Sequence, residues 1–217
     1  MTTHIFDQLA SIGVVPVIAV DDAKDALPLA DALLEGGLPV AEITFRTDAA
    51  AETIATIAAE RPDMLVGAGT VLSPDQVDEA VKAGAKFSLS PGIDADVLKH
   101  AKTKDMPFAP GIMTPSDLQL ALKLDCSMVK FFPAMPAGGP KMLKAIAAPY
   151  AHTGVGFNPT GGVTLDNLSD WLSMPQVRAV GGTWIASKAD ISAGNWSHVT
   201  ENARQAVARV AEIRESA

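Results

Sequence analysis

The stretch Val14-Val15-Pro16-Val17-Ile18-Ala19-Val20, followed by Asp21-Asp22 and an Ala/Leu-rich segment ending at Gly36-Gly37, decides the fold. A short apolar run bounded by turn residues reads as a buried strand, and an aspartate ahead of a helix-forming segment reads as its N-cap. Together they form one βα unit, with a short leading helix predicted over Ile5–Ile12. Outward from it the alternation repeats. Strands are predicted near 40–45, 64–69, 86–90, 107–109, 128–132, 155–159 and 177–180. Helices are predicted near 49–60, 74–83, 95–103, 115–124, 141–147, 165–172 and 196–215. Eight strands at intervals of roughly 20–29 residues, alternating with helices, imply a parallel sheet. Eight such units favour one closed (β/α)8 barrel with an extra N-terminal helix, a single domain over residues 1–217. Gly67-Ala68-Gly69-Thr70-Val71-Leu72 lacks the third glycine of a dinucleotide-binding fingerprint, which agrees with a barrel rather than a doubly wound sheet.

Composition narrows the partners. Apolar residues make up 48% of the 217, enough for a large core. Seventeen basic against 25 acidic residues leave a net charge of −8, which argues against nucleic acid or an anionic membrane. An anionic substrate must therefore be held by local positive groups. No run of about 18 uncharged apolar residues is present, so no transmembrane helix is expected. The start, Met1 to Asp7, lacks the basic-then-apolar layout of a signal peptide. The single cysteine, Cys126, excludes an internal disulfide and fits a reducing cytoplasm. His4, His100, His152 and His198 fall away from the strand ends, with no HxH, HExxH or CxxC spacing, so no metal site is expected.

Side chains alternate along a strand, and in a barrel of this kind function gathers at the carboxyl ends of the strands. In the second strand Ala41, Ile43 and Phe45 share an apolar face suited to helix packing, so Glu42, Thr44 and Arg46 point inward. A carboxylate and a guanidinium there fit chemistry, or an ion pair closing the barrel mouth. In Ser127-Met128-Val129-Lys130-Phe131-Phe132-Pro133-Ala134, Met128, Lys130 and Phe132 share a face. Burial penalises the ammonium form and favours the neutral amine that a Schiff-base nucleophile must be. A lysine at a strand end also has the option of snorkelling outward. If its face is inward, Lys130 converges with Glu42 and Arg46.

Other strand ends add polar or glycine-rich loops. The third ends in Gly69-Thr70, the fourth in Ser90-Pro91-Gly92 and the fifth in Ala109-Pro110-Gly111. Asn158-Pro159-Thr160-Gly161-Gly162 and Gly181-Gly182-Thr183-Trp184 close the seventh and eighth. Paired glycines after these two strands let backbone N–H groups approach a phosphate, though each pair also suits a tight turn.

These motifs resemble the family of 2-dehydro-3-deoxy-phosphogluconate (KDPG) and 4-hydroxy-2-oxoglutarate aldolases. The resemblance runs along nearly the whole chain through Glu42-Ile43-Thr44-Phe45-Arg46-Thr47, Gly67-Ala68-Gly69-Thr70-Val71, Ser90-Pro91-Gly92, Lys130-Phe131-Phe132-Pro133-Ala134, Pro159-Thr160-Gly161-Gly162 and Gly181-Gly182-Thr183-Trp184. It implies a class I aldolase in which Lys130 forms the Schiff base and Glu42 moves protons. It further implies that Arg46 and Thr70 hold the pyruvate carboxylate and that Pro91 and Phe132 pack its methyl side. Thr160 would meet sugar hydroxyls, and Gly161, Gly162, Gly182 and Thr183 the phosphate. Thr183 replaces a serine common in the family, and the loop Met135-Pro136-Ala137 is variant. The implied substrate is a phosphorylated keto acid, the cofactor none beyond the covalent imine on Lys130, and the assembly a homotrimer. Preference for 4-hydroxy-2-oxoglutarate or an epimeric sugar acid stays open, as does a phosphate-binding barrel without lyase activity.

Overall fold

The computed structural model describes residues 5–216. Strands β1 (Val14–Ile18), β2 (Val40–Thr44), β3 (Leu65–Gly69), β4 (Ser88–Leu89) and β5 (Phe108–Ala109) alternate with helices α2 (Ala26–Glu35), α3 (Ala50–Glu60), α4 (Pro74–Lys82) and α5 (Ala95–Thr103), behind a leading α1 (Ile5–Ile12). The chain continues through β6 (Gly111–Ile112), α6 (Pro115–Lys123), β7 (Met128–Phe131), α7 (Gly139–Ala147), β8 (Gly156–Pro159), α8 (Leu168–Leu172) and β9 (Val180–Gly182). It ends in α9 (Lys188–Ala193) and α10 (Trp196–Glu215). All pairings are parallel, in a six-stranded sheet ordered β5-β4-β3-β2-β1-β9 and a three-stranded sheet ordered β6-β7-β8. The α/β architecture is as expected, but the ladders form two sheets rather than one unbroken ring.

Three departures from the expected elements have local causes. The fifth strand is divided at Pro110, which has no N–H to give to a ladder. The expected strand at 177–180 lies instead at Val180–Gly182, where Val14, Val15 and Pro16 pair with Val180, Gly181 and Gly182; Val177 makes only an isolated bridge to Phe157. The α9 helix was not expected. Its start is set by Ser187, whose hydroxyl accepts from the Asp190 N–H, and its end by Gly194 in a left-handed conformation.

The alternation that placed Glu42 inward holds in the register. Val17, Glu42 and Gly67 are cross-strand partners, as are Thr44 and Gly69, and partners at one register position share a face. On the opposite face of β7, Val129 and Phe131 pair with Phe157 and Pro159, and the Phe131 ring lies 6.4 Å from that of Trp171 on α8. Buried apolar side chains from sheets and helices form one contiguous core.

Helices α4, α5, α6 and α9 begin on side-chain caps, and α6 has a reciprocal one. Thr114 accepts from the Asp117 N–H, and the Asp117 carboxylate returns to the Met113 and Thr114 N–H groups. Burial pushes the Asp117 carboxyl up, but these hydrogen bonds outweigh it and hold it below the usual aspartate range. A carboxyl lowered by folding adds stability that is complete above its unfolded value and fades as pH falls through its folded one. Thr114→Ala should cost about 1 kcal/mol in chemical denaturation at neutral pH. The stability difference between wild type and Asp117→Asn should be constant near neutrality and shrink once pH drops below about 3.9.

Candidate active site

Lys130, on β7 of the three-stranded sheet, reaches across the interior to Glu42, on β2 of the six-stranded sheet. Its Nζ donates to Glu42 Oε1 at 2.9 Å, with the two side chains 5% and 0% exposed. The second carboxylate oxygen, Oε2, is buried with no protein partner. An ion pair out of water is tolerated only in good geometry, and removing one member typically costs about 3–5 kcal/mol. A carboxylate with one oxygen on an amine and the other idle is placed to take and return a proton.

Space for this pair is made by glycine. A Cβ on Gly69 would lie 2.2 Å from Glu42 Oε1, and one on Gly67 would lie 2.3 Å from the Phe87 ring. Gly111, the cross-strand partner of Lys130, has the Pro91 carbonyl so close that a Cβ would stand 2.0 Å from it. The Ser90-Pro91-Gly92 turn is thereby folded over the lysine's neighbouring strand. It is fixed by Ser90 Oγ donating to the Gly92 carbonyl at 2.6 Å.

On the other side, the Phe132 ring centroid is 5.8 Å from Lys130 Nζ. The Ala134 and Met135 N–H groups donate to the Thr160 and Gly161 carbonyls at 2.8 and 2.9 Å. This binds the loop after the lysine strand to the Thr160-Gly161-Gly162 turn. Gly161 and Gly162 both have positive φ, 99° and 78°, a conformation that disfavours side chains. Gly181 lies across from Thr160, where a Cβ would be 2.2 Å from its hydroxyl.

The structure thus gathers Lys130, Glu42, Phe132, Thr160 and Gly161, with Pro91 over the adjoining strand. Among the described residues Arg46 makes no hydrogen bond or salt bridge to the pair. It is exposed, its Nε donates to Thr44 Oγ1 at 3.0 Å, and that hydroxyl donates to the Ile18 carbonyl. Among the described residues Arg46 forms no salt bridge, so Glu42 pairs with the lysine rather than with the guanidinium. Thr70 follows β3 with φ 56°, Gly182 is the last residue of β9, and exposed Thr183 follows it. Beside Arg46, a cavity of about 690 Å³ opens between α3 and α4, but neither Lys130 nor Glu42 lines it.

One inward residue received no role from its sequence pattern. Asn158 is fully buried on β8 as the cross-strand partner of Lys130. Its position two residues before Thr160 was the available signal.

Residues outside this group serve elsewhere. Cys126, half-buried before β7, has its thiol pushed up to about 11, chiefly by burial, which disfavours a reactive thiolate. His100 pairs with Asp78 and His198 with Asp190, while His152 is exposed. His4 lies outside the described residues. Among the described residues no cluster of three or more His, Cys, Asp or Glu is arranged to hold a metal.

The chain matches the family model "KDPG and KHG aldolase" over residues 5–202. It is 43% identical over 206 residues to 2-dehydro-3-deoxy-phosphogluconate aldolase of Haemophilus influenzae, covering 95% of this chain and 96% of the relative. It is 44% identical over 194 residues to the KHG/KDPG aldolase of Escherichia coli, covering 89% and 90%. Among solved structures, KDPG aldolase from Legionella pneumophila, with pyruvate captured as a covalent carbinolamine intermediate, superposes with a TM-score of 0.88. Identity is 40%, over 94% of this chain and 98% of the other. The Zymomonas mobilis enzyme with 3-phosphoglycerate superposes with a TM-score of 0.84 at 39% identity, over 94% and 95%.

Because Gly69 alone leaves room for Glu42 Oε1, Gly69→Ala should drive the carboxylate off the lysine. A crystal structure of that variant is expected to show the Nζ–Oε1 contact broken. Denaturation should show a loss of about 1–3 kcal/mol from overpacking.

Proposed function

The chain belongs to the KDPG and KHG aldolase family, and on that basis we propose that it is a class I aldolase cleaving 2-dehydro-3-deoxy-6-phosphogluconate to pyruvate and glyceraldehyde 3-phosphate. The observation that carries this reading is the buried contact of Lys130 Nζ with Glu42 Oε1 at 2.9 Å, beside an unpartnered Oε2.

Lys130, as the free amine, adds to the C2 ketone to give a carbinolamine. Glu42 supplies and removes the protons as water leaves and a protonated imine forms. The imine draws electrons from C3. Glu42 then takes the C4 hydroxyl proton, the C3–C4 bond breaks into the imine, and glyceraldehyde 3-phosphate departs. The resulting enamine is protonated at C3, and water returns to C2 to release pyruvate and the lysine. The electron sink is the imine itself, so the chemistry calls for no metal.

Arg46 and Thr70, at the mouth of β2 and β3, hold the substrate carboxylate, and Pro91 and Phe132 flank the pyruvyl methylene. Thr160 meets the sugar hydroxyls. Gly161, Gly162, Gly182 and Thr183 receive the phosphate through backbone N–H groups and the threonine hydroxyl. Anchoring both ends fixes the scissile bond between lysine and glutamate, which is where positioning lowers the barrier.

Residues 1–217 act as one domain, its two sheets being arcs of a single (β/α)8 barrel. Support comes from the isolated Thr160–Gly181 and Phe157–Val177 pairings beside β8 and β9, and from β5 and β6 being separated only by Pro110. The Lys130–Glu42 contact also spans the two sheets. The enzyme works as a homotrimer in the cytoplasm. The family resemblance supports the first of these and the single cysteine the second. Among the described residues no helix is long and apolar enough to cross a membrane.

Pyruvate release from 2-dehydro-3-deoxy-6-phosphogluconate, followed with lactate dehydrogenase, tests the reading. Lys130→Ala should fall to background, and Glu42→Gln should lower kcat about 10²- to 10⁴-fold. Chelator should leave the wild-type rate unchanged. A Lys130→Ala variant as active as wild type would refute the mechanism.

A further inference from the structure

Asn158 is fully buried and shares the inward face of β8 with Gly156 and Thr160. Its Oδ1 accepts the hydrogen of Thr160 Oγ1 at 2.9 Å, while its Nδ2 is buried with no protein partner. An idle buried N–H is a standing cost that an apolar side chain of similar volume would not carry. The one side-chain bond that Asn158 forms points to its role.

A hydroxyl has one hydrogen and two lone pairs. With its hydrogen committed to Asn158, the Thr160 hydroxyl offers an incoming molecule only lone pairs. Gly181 gives that hydroxyl its room, since a Cβ there would lie 2.2 Å from Oγ1. A group meeting Thr160 must then bring its own hydrogen. Both substrates carry a C4 hydroxyl, which the mechanism above gives to Glu42, so they differ at C5. 2-Dehydro-3-deoxy-6-phosphogluconate has a hydroxyl there that can donate, whereas 4-hydroxy-2-oxoglutarate has a carboxylate, which can only accept.

We propose that Asn158 is a positioning residue that sets the Thr160 hydroxyl as an acceptor and thereby favours substrates with a hydroxyl at C5 over those with a carboxylate there. The proposal rests on the aldolase reading above.

The test compares wild type, Asn158→Leu, Thr160→Val and the double variant on both substrates. Deuterium exchange into the pyruvate methyl group serves as a readout of the lysine half-reaction alone. Asn158→Leu should keep its Tm and its exchange rate, yet lose about tenfold in kcat/KM on the phosphorylated sugar acid. Its kcat/KM on 4-hydroxy-2-oxoglutarate should hold or rise. Adding Asn158→Leu to Thr160→Val should cost nothing more, because one acts through the other. Equal losses on both substrates, additive losses in the double variant, slowed exchange, or a leucine variant that unfolds would each overturn the proposal. A wild-type protein that neither cleaves the sugar acid nor exchanges pyruvate would instead fail the aldolase reading itself.

Discussion

Lys130 Nζ and Glu42 Oε1 meet inside the protein, one from each sheet, and much of the surrounding structure is arranged so that they can. Two polar ends out of water must be matched in position, because neither has solvent to fall back on. That demand fixes the register of β2 against β3 and of β7 against β6 and β8. A one-residue slip of either strand would turn its functional side chain into the helix layer and replace it with Ile43 or Val129.

Glycine carries the other half of the arrangement. Gly67 and Gly69 sit on the strand beside Glu42, and Gly111 sits beside Lys130. In each case a side chain would collide with a neighbour that shapes the site: the Phe87 ring, the Glu42 carboxylate and the Pro91 carbonyl. Glycine at these levels leaves room for the groups that form the site. Glycine weakens a strand by entropy and lost packing, and here the many parallel pairings and the single core offset that weakness.

Much of this was legible in the chain itself. Apolar runs separated by helical periodicity gave the α/β order, and the polar-inward set of Glu42, Thr44 and Arg46 gave the face on which function lies. Parity also aimed Lys130 at Glu42. It also grouped Arg46 with them, but a long side chain past the strand end chooses its own direction, and the Arg46 Nε donates to Thr44 instead. The last strand was misplaced by two or three residues because its ladder runs through Gly181 and Gly182, which carry no apolar signal. Asn158 was quoted at the end of its strand but given no role, because a single polar residue between Phe157 and Pro159 carries no sign of one until the register sets it beside Lys130.

All of this makes Lys130 the one side chain that should become covalently attached to a keto acid. Incubation with pyruvate and borohydride, followed by peptide mass spectrometry, tests that most directly. The account predicts a reduced pyruvyl adduct on Lys130 and on no other lysine. An adduct on a different lysine, or none in folded protein, would contradict it.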